Sequence, residues 1–222
     1  LPINSNGTLG TVAWDAAKKI PAHGSRNIYS WDTASSAGFS FDTTHLSTIQ
    51  ATVSGAASSL TSDEVNHLRG QTDNEQQNGG TLRDRTVVGT QSQILGDIVN
   101  SDPVFVSNQD FGYSGLSGSE GSDYSAFRAT SSYVGRKPMI YVGANDGMLH
   151  GFYVGEDTSV PADNILDDDS DGTKPGQEVF AFIPSSVYAN LKSLTQPSYS
   201  HKFFVDGAPH VGDAYIDYDG DS

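Results

Sequence analysis

Short apolar segments that alternate with turn residues constrain the fold of this chain more than any other feature of its sequence. Met139–Val142 is followed by an Asn-Asp-Gly turn at 145–147 and then by a second apolar segment, Met148–Tyr153. Because Asn, Asp and Gly tolerate positive φ, this stretch predicts a β-hairpin closed by a tight turn. Similar segments occur at Asp97–Ser107, Glu178–Ile183 and Phe203–Val205. Short strands at this spacing predict an all-β fold, either a propeller or a sandwich.

The two parts of the chain differ in character, with a boundary near residue 90. In the first part, Thr11–Ile20 and Leu60–Leu68 are predicted to be helical, and Tyr29–Trp31 and Phe39–Phe41 are predicted to be short strands. The second part consists of strands and turns, and its Gly- and Ser-rich stretch at Asn108–Ala126 predicts a long loop. A blade takes roughly 40–45 residues, so this part supplies about three blades, too few to close a ring. We therefore predict a lead-in with short helices at 1–90 and the first blades of an incomplete β-propeller at 91–222.

Charge and composition narrow the classes of function. The chain has 12 Lys and Arg residues against 27 Asp and Glu residues, a net charge of −15 with His neutral. Such a field repels nucleic-acid phosphates and anionic lipid and attracts divalent cations, so neither nucleic acid nor a membrane surface is a predicted partner. No apolar stretch is long enough to span a bilayer, and the absence of cysteine excludes disulfides and thiolate metal sites. The acidic composition, rich in Ser, Thr and Gly, favours an extracellular protein.

An acidic run in the second part matches the D-x-D-x-D-G-x5-E pattern of a calcium-binding loop. Calcium takes roughly 6–8 oxygen ligands, and alternate carboxylates in such a loop converge on one point. The predicted ligands are Asp167, Asp169, Asp171 and Glu178 through their side chains and Thr173 through its carbonyl. No helix is predicted on either side, and Pro175 could hold Glu178 away from the ion and leave its place to water. The alternative is a solvated acidic turn between two strands.

Other candidate groups carry less information about a site. Asp217, Asp219 and Asp221 have the alternation of a calcium loop but no closing ligand, so a hairpin turn is the alternative. The six histidines form no metal-spaced pair, and His150, within an apolar strand, is predicted to be a hydrogen-bonded core residue. The two tryptophans are predicted to anchor the core. Neither a nucleophile elbow nor a phosphate-binding glycine loop occurs, so the sequence predicts no catalytic residues.

Four strings of residues stand out in order along the second part of the chain. They are Leu95–Val104 (LGDIVNSDPV), Tyr141–Phe152 (YVGANDGMLHGF), Gly176–Val187 (GQEVFAFIPSSV) and Tyr199–Gly207 (YSHKFFVDG). Three upstream strings accompany them, namely Arg26–Tyr29, His67–Gly70 and Leu82–Arg85. Taken together, the strings resemble the first propeller blades, and the lead-in to them, of the PilC/PilY family of type IV pilus-associated tip adhesins. The resemblance covers most of the chain, from about residue 14 to residue 213.

This resemblance implies a seven-bladed, quinoprotein-like propeller without catalytic activity, which supports type IV pilus biogenesis, balances pilus retraction and contributes to surface adhesion. The implied location is the bacterial cell surface, in association with the pilus, after export through the periplasm. The implied partners are the remaining propeller blades, from the same polypeptide or another chain, the minor and major pilins, and a host or abiotic surface ligand. The calcium site known for the family lies in later blades, so the resemblance does not transfer it to the acidic run.

Two alternative functions are consistent with parts of the same sequence. Tyr141–Phe152 and Gly176–Phe182 also resemble the repeat of quinoprotein dehydrogenases, which bind pyrroloquinoline quinone with Ca²⁺ and use a Trp-rich stack and adjacent cysteines. This chain has no cysteine and only two tryptophans, both outside the propeller-like part. The other alternative is a propeller scaffold in outer-membrane assembly, which the arginines of the lead-in disfavour. These are Arg69, Arg83 and Arg85.

Overall fold

A computed structural model of the chain describes residues 6–8, 10–52, 60–155 and 171–214. The strands are β1 (Ile28–Asp32), β2 (Ala37–Ser40), β3 (Val87–Val88), β4 (Gln91–Ser92), β5 (Val104–Val106), β6 (Met139–Ala144), β7 (Met148–Tyr153) and β8 (Glu178–Ile183). The helices are α1 (Leu46–Thr52), α2 (Ser62–Leu68), α3 (Ser119–Arg128), α4 (Ser131–Val134) and α5 (Tyr188–Leu191), with short 3-10 turns between them. Within these ranges, no helix is long and apolar enough to cross a membrane.

Six of the strands form one mixed sheet in the order β2-β1-β8-β7-β6-β5. Strands β5 to β8 follow one another in antiparallel order, which is the strand pattern of a propeller blade. β1 joins the outer side of β8 in parallel, and β2 completes the sheet by pairing antiparallel with β1. The residues predicted to form a lead-in therefore contribute two strands to the sheet that contains β5 to β8. The domain boundary near residue 90 stays a prediction.

The hairpin predicted at the Asn-Asp-Gly turn is confirmed. β6 and β7 pair antiparallel over their whole lengths, and β6 runs to Ala144, beyond the predicted end at Val142. Gly147 closes the turn with a φ of 92°, a conformation that side chains disfavour. The strand predicted at Glu178–Ile183 is also confirmed, as β8.

In the described part of residues 91–222, β5 to β8 form one antiparallel group of strands, and the number of about three blades stays a prediction. The segment Asn108–Ala126, predicted as a loop, contains most of α3. Its many Gly and Ser residues concealed a helix whose ends carry Glu120 and Arg128, the charges that complement a helix dipole.

The strand predicted at Phe203–Val205 does not form, because this segment is irregular in the structure. This segment lies against the face of the sheet instead of pairing with an edge. At Gly143, an added Cβ would come within 2.3 Å of the Val205 carbonyl oxygen. The close approach of two backbones therefore depends on a glycine in β6, and an apolar pattern does not distinguish such a crossing segment from a strand.

Helical predictions in the lead-in are confirmed at one position and wrong at another. Leu60–Leu68 contains α2, which begins with a capping box between Thr61 and Glu64. Each of these two residues accepts a hydrogen bond from the backbone amide of the other, which stabilises the first turn. Thr11–Ile20 forms only a 3-10 turn, at Ala16–Lys18.

One hydrophobic core lies between the sheet and helices α1, α2 and α5. The lead-in contributes Ile28 from β1 and Val65 from α2, and the second part contributes Met148 from β7 and Leu191 from α5. Each of these side chains is at most 1% exposed. The two parts of the chain therefore bury apolar surface against each other, which is the main favourable contribution to folding.

The opposite face of the sheet carries aromatic side chains that the core does not cover. Along β1, buried and exposed residues alternate, and Tyr29 and Trp31 are each 45% exposed. The prediction that both tryptophans anchor the core is therefore wrong for Trp31. Trp14 is half-buried, and its indole donates a hydrogen bond to the carbonyl oxygen of Val154 at 3.0 Å.

Candidate functional site

Four charged side chains form a continuous buried network between the lead-in and the first hairpin. Arg26 donates from Nε to Glu178 Oε2 and from Nη2 to Glu178 Oε1, both at 2.7 Å. His150 Nδ1 lies 2.7 Å from the same Oε1, and His150 Nε2 lies 3.1 Å from each carboxylate oxygen of Asp146. The side chains of Arg26, Glu178 and His150 are at most 1% exposed. We call Arg26, Glu178, His150 and Asp146 the junction network.

A β-bulge places Glu178 in this network. The bulge lies between Gly151 and Phe152 and shifts the register of β7 against β8 by one residue. As a result, Glu178 lies opposite Phe152, where a regular ladder would place Val179. Because alternate residues of a strand face opposite sides, the shift turns the Glu178 side chain to the core face, beside His150.

The members of the junction network keep their charges at neutral pH because of one another. Burial alone would lower the pKa of His150, but the charge and hydrogen bond of Asp146, followed by those of Glu178, raise it to about 9. Burial alone would raise the pKa of Glu178, but hydrogen bonds from His150 and Arg26 and the charge of Arg26 lower it to about 2. Burial also opposes ionisation of Asp146, and the charge of His150 outweighs it, so the pKa of Asp146 is lowered. Two positive and two negative charges therefore balance within the core.

A second arginine fastens the backbone of the lead-in around Arg26. Arg69 donates to the carbonyl oxygens of Phe41 and His23, each at 2.7 Å, and of Arg26, at 2.9 Å. In return, Arg26 Nη1 donates to the carbonyl oxygen of Arg69 at 2.9 Å. The end of α2 and the start of β1 are therefore held together through guanidinium groups, which present several donors in a fixed geometry.

A second buried cluster lies beyond the end of α2. Glu75 is fully buried, and its Oε1 lies 2.6 Å from Arg85 Nη1. Arg85 also donates to the carbonyl oxygen of His67, and its Nη1 lies 3.2 Å from His67 Nδ1. Burial, followed by the positive charges of Arg85 and Arg83, lowers the pKa of His67 to about 3, so this ring is neutral. We call Glu75, Arg85 and His67 the Glu75 cluster.

A cavity of about 270 Å³ separates the junction network from the Glu75 cluster. We call it the junction cavity. Its walls come from the end of α2, from segments 83–86 and 93–97, from the turn at 145–146 and from two residues after β8. The lining side chains with polar groups include His67, Arg83, Asp97, Asn145, Asp146 and Tyr199.

Gly96 fixes the wall of the cavity at the hairpin turn. Its amide donates to Asp146 Oδ2 at 3.0 Å, and an added Cβ would come within 2.3 Å of the Asp146 amide nitrogen. Asn145 donates to Asp97 Oδ2 at 3.0 Å. The predicted turn at 145–147 is therefore hydrogen-bonded to Gly96 and Asp97, which precede it by about 50 positions in the chain.

Of the predicted calcium ligands, the structure describes Asp171, Thr173 and Glu178, and none of these three lines the cavity. Asp167 and Asp169 lie outside the described residues, as do Asp217, Asp219 and Asp221. Asp171 accepts hydrogen bonds from the amide and hydroxyl groups of Thr173, and its Oδ2 lies 2.9 Å from Lys137 Nζ. Glu178 belongs to the junction network, so both of its oxygens already have cationic partners. In the part of the chain that the structure describes, no three acidic or histidine side chains are grouped to hold a metal ion.

Sequence reasoning identified one member of the junction network by its role. His150 is confirmed as a fully buried, hydrogen-bonded core residue. The roles of Arg26 and Asp146 were missed, although the first stands beside an apolar strand and the second within a hairpin turn. A charged residue next to a buried strand is the signal that could have found Arg26, because such a charge needs a partner.

The antiparallel order of β5 to β8 is that of one blade of a β-propeller domain. Comparison with known proteins agrees. The family model for the PilY1 β-propeller domain matches residues 95–222. The chain belongs to the PilY1 family, which confirms the resemblance seen in its sequence. No solved structure matches the chain.

Three relatives show the extent of the similarity. The type IV pilus biogenesis factor PilY1 of Pseudomonas aeruginosa is 38% identical over 69% of this chain and 11% of its own length. Two PilY1 homologues of Xylella fastidiosa are 34% identical over 72% of the chain and 30% identical over 97% of it. The chain covers 11% of the first homologue and 15% of the second, so it corresponds to a small part of each relative.

Proposed function

We propose that this chain is a non-catalytic, structural part of a type IV pilus biogenesis factor at the bacterial cell surface. The lead-in closes the first blade of a β-propeller, and the remaining blades come from the same polypeptide or from another chain. The assembled protein supports pilus biogenesis and adhesion, with pilins and a host or abiotic surface as its partners. Its seven-bladed, quinoprotein-like form stays a prediction.

The observation that carries this proposal is the match of residues 95–222 to the PilY1 β-propeller domain. The geometry of the junction network is consistent with it. Every charge in the network faces an opposite charge at hydrogen-bonding distance, and three of its four side chains are out of contact with solvent. Such an arrangement stabilises one relative position of lead-in and blade, whereas a catalytic base or nucleophile must reach a substrate.

The exposed aromatic face of the sheet supports the part of the proposal that concerns further blades. Tyr29 and Trp31 are each nearly half exposed on this face, and Tyr141, Phe180 and Phe182 are half-buried beside them. Propeller blades pack face to face around a central axis. A neighbouring blade would remove this aromatic surface from water, as sheet packing requires.

Complementation in the source bacterium tests the proposed function. We expect a strain that lacks the gene to lose surface pili, and a copy with Arg26→Met to fail to restore them because the junction is broken. Arg128→Gln is the matched control, because it removes a surface arginine whose partner is Asp110. Surface pilin, sheared from the cells and quantified, is the measurement. Normal piliation of the strain without the gene would contradict the proposal.

We also propose that the acidic run binds calcium, through Asp167, Asp169, Asp171 and the carbonyl of Thr173. Alternate carboxylates crowded into one turn repel each other unless a cation lies between them. Because Glu178 already pairs with Arg26 and His150, water takes its place in the loop. The expected affinity is therefore that of an extracellular module, with a Kd of about 10⁻⁴–10⁻³ M.

Calorimetric titration of the intact protein with calcium tests this site. Asp169→Ala with Asp171→Ala should abolish the heat assigned to it, while Asp110→Ala, which removes an exposed carboxylate elsewhere, should leave that heat unchanged. Glu178→Gln should also leave it unchanged in protein that stays folded, because the loop does not use this side chain. Equal heats from the wild type and the double variant would mean that the run is a solvated acidic turn.

A further inference from the structure

We propose that the insertion between β5 and β6 is the docking surface for the next blade of the same polypeptide, which the chain enters after Asp213. We call this insertion, residues 107–138, the arm. It contains helices α3 and α4. The inference rests on the proposed function, in which further blades complete the propeller, and it adds where the next blade lies and from which chain it comes.

The arm presents apolar side chains to solvent. Of the ten residues of α3, Gly121 is buried, Tyr124 and Arg128 are half-buried, and the others are exposed. Phe127 is 43% exposed, and Val134, at the end of α4, is 58% exposed. A short helix rich in serine has little stability of its own and depends on packing. We therefore expect another part of the assembled protein to cover the outer side of α3.

Four aromatic rings form a continuous row along the arm, and we call these residues the aromatic row. The ring centroids of Tyr113 and Tyr124 are 5.2 Å apart. Those of Tyr124 and Phe127 are 6.4 Å apart, and those of Phe127 and Tyr133 are 5.0 Å apart. Aromatic pairs attract at roughly 4.5–7 Å between centroids. Tyr133 is buried, whereas Tyr113 is 37% exposed, so the row reaches from the packed side of the arm to its surface.

Asp213 holds the chain that follows the sheet against the aromatic row. Its Oδ2 lies 2.7 Å from the hydroxyl oxygen of Tyr124 and 2.6 Å from that of Tyr133. Its Oδ1 accepts a hydrogen bond from Arg136 Nη1 at 2.6 Å, and its side chain is 8% exposed. Burial opposes ionisation of Asp213, but the contacts with these three partners outweigh it and lower its pKa. A charged carboxylate therefore fixes this part of the chain to the arm.

Gly212 brings the backbone itself close to the aromatic row. An added Cβ at this position would come within 2.9 Å of the Tyr113 hydroxyl oxygen. Consecutive Cα atoms are about 3.8 Å apart, so the chain directly after Asp213 begins beside the same rings. Covalent continuity thus brings the following part of the polypeptide to the arm.

The segment before Asp213 shows which face of the sheet the next blade meets. Val205 lies against Gly143, where an added Cβ would come within 2.3 Å of the Val205 carbonyl oxygen. Gly143 pairs with Leu149, Leu149 with Phe182, and Phe182 with Tyr29. Paired residues of neighbouring strands point to the same face of a sheet. The chain therefore crosses the exposed aromatic face before it reaches the arm, and the blade that follows meets both surfaces.

Covalent attachment favours the same polypeptide over a separate partner. A segment joined by a short flexible linker has an effective concentration of about millimolar. A pilin or a second copy of the chain would lose translational and rotational freedom on binding. Either would also compete with Gly212 and Asp213, which already lie on the aromatic row. These arguments select the next blade as the occupant of the arm.

Photo-crosslinking of the intact protein identifies the occupant. The photoreactive residue p-benzoylphenylalanine in place of Phe127 keeps an aromatic ring at an exposed position. After irradiation, mass spectrometry should find this residue joined to residues throughout the roughly 40–45 positions that follow Asp213, the length of one blade. The same group in place of Val12, which is 58% exposed in the lead-in, is the control and should not join to those positions. Cross-links to the first few of those positions alone would reflect the course of the chain and would overturn the docking of a blade.

Two further outcomes of the same experiment would overturn the proposal. In a mixture of isotope-labelled and unlabelled protein, each cross-linked pair of peptides should carry a single label, and mixed pairs would identify a second copy instead. Irradiation in the source bacterium should give the same products, and a cross-link to a pilin would identify a separate partner. Loss of pili in the strain without the gene, together with no cross-link from position 127, would refute this inference and leave the proposed function standing.

Hydrogen exchange covers the case in which the variant at position 127 does not fold. In the intact wild type, the amides of residues 124–128 should exchange at least about 100-fold more slowly than in an unfolded peptide, because the next blade covers α3. Asp213→Asn should speed their exchange about tenfold or more while the hairpin of β6 and β7 stays protected. Asp15→Asn, at an exposed ion pair in the lead-in, should change neither. Exchange of α3 at the rate of an unfolded peptide, or no effect of Asp213→Asn, would overturn the proposal.

Discussion

Replacement of Arg26 by methionine should destabilise the intact protein by about 3–5 kcal/mol, the range for removal of one partner of a buried ion pair. The variant keeps the side-chain volume but leaves the Glu178 carboxylate with His150 as its single charged partner. It also removes the hydrogen bond from Arg26 Nη1 to the carbonyl oxygen of Arg69. Equilibrium unfolding in urea, with the wild type and the variant at the same pH, measures the difference in the free energy of unfolding.

Two controls separate the buried pair from a general effect of mutation. Arg26→Met combined with Glu178→Gln should cost less than the sum of the two single changes, because the unpaired carboxylate is gone. Arg128→Gln, at an exposed pair, should cost no more than about 1 kcal/mol. A cost below about 1 kcal/mol for Arg26→Met would contradict a stabilising role of the junction network.

The stability of the protein should decline on both sides of about pH 6.5, the ordinary pKa of histidine, for two different histidines. The pKa of His150 is raised to about 9 in the folded chain, so the folded state binds more protons above pH 6.5. Its contribution is fully present below pH 6.5 and is lost as the pH rises towards 9. For His67, whose pKa is lowered to about 3, the unfolded state binds more protons, so stability is lost as the pH falls from 6.5 towards 3.

Matched substitutions assign each limb of this profile to its histidine. His150→Gln should flatten the decline between pH 6.5 and 9, and His67→Gln should flatten the decline between pH 6.5 and 5. The acidic window stops at pH 5 because Glu178, with a pKa of about 2, begins to lose its own contribution below its ordinary value of 4.5. Urea unfolding at a series of pH values gives the slopes. An alkaline slope that is the same in His150→Gln and the wild type would show that His150 is not the group responsible.

Local sequence signals predicted the elements whose structure depends on neighbouring residues. The hairpin of β6 and β7 follows from alternating apolar residues around an Asn-Asp-Gly turn, and these residues act over short distances. The helix at Ser62–Leu68 was predicted from Asp63 and Glu64, which favour a helix N-terminus, while its capping box between Thr61 and Glu64 was missed. The helix at Ser119–Arg128 was missed because Gly and Ser weaken the local signal for a helix.

The junction network could not be predicted, because distant residues create it. Arg26 and Glu178 are separated by 152 positions in the sequence. The side of the sheet that Glu178 faces depends on a one-residue bulge in β8, at Val179, which no local pattern reveals. Without that information, Glu178 fits the last position of a calcium loop as well as it fits an ion pair. The sequence analysis thus singled out His150 and Glu178 but did not identify the residues with which they pair.

We infer that the lead-in and the blade formed by β5 to β8 fold as one cooperative unit. Native-state hydrogen exchange of the intact protein tests this inference most directly. The amide of Ala181 donates to the carbonyl oxygen of Asn27 at 2.9 Å, across the junction, while the amides of β6 and β7 report on the hairpin. We predict the same free energy of opening for both sets, and an equal decrease in both for Arg26→Met. Rapid exchange at Ala181 and β1, with a hairpin that stays protected and does not respond to Arg26→Met, would contradict the claim.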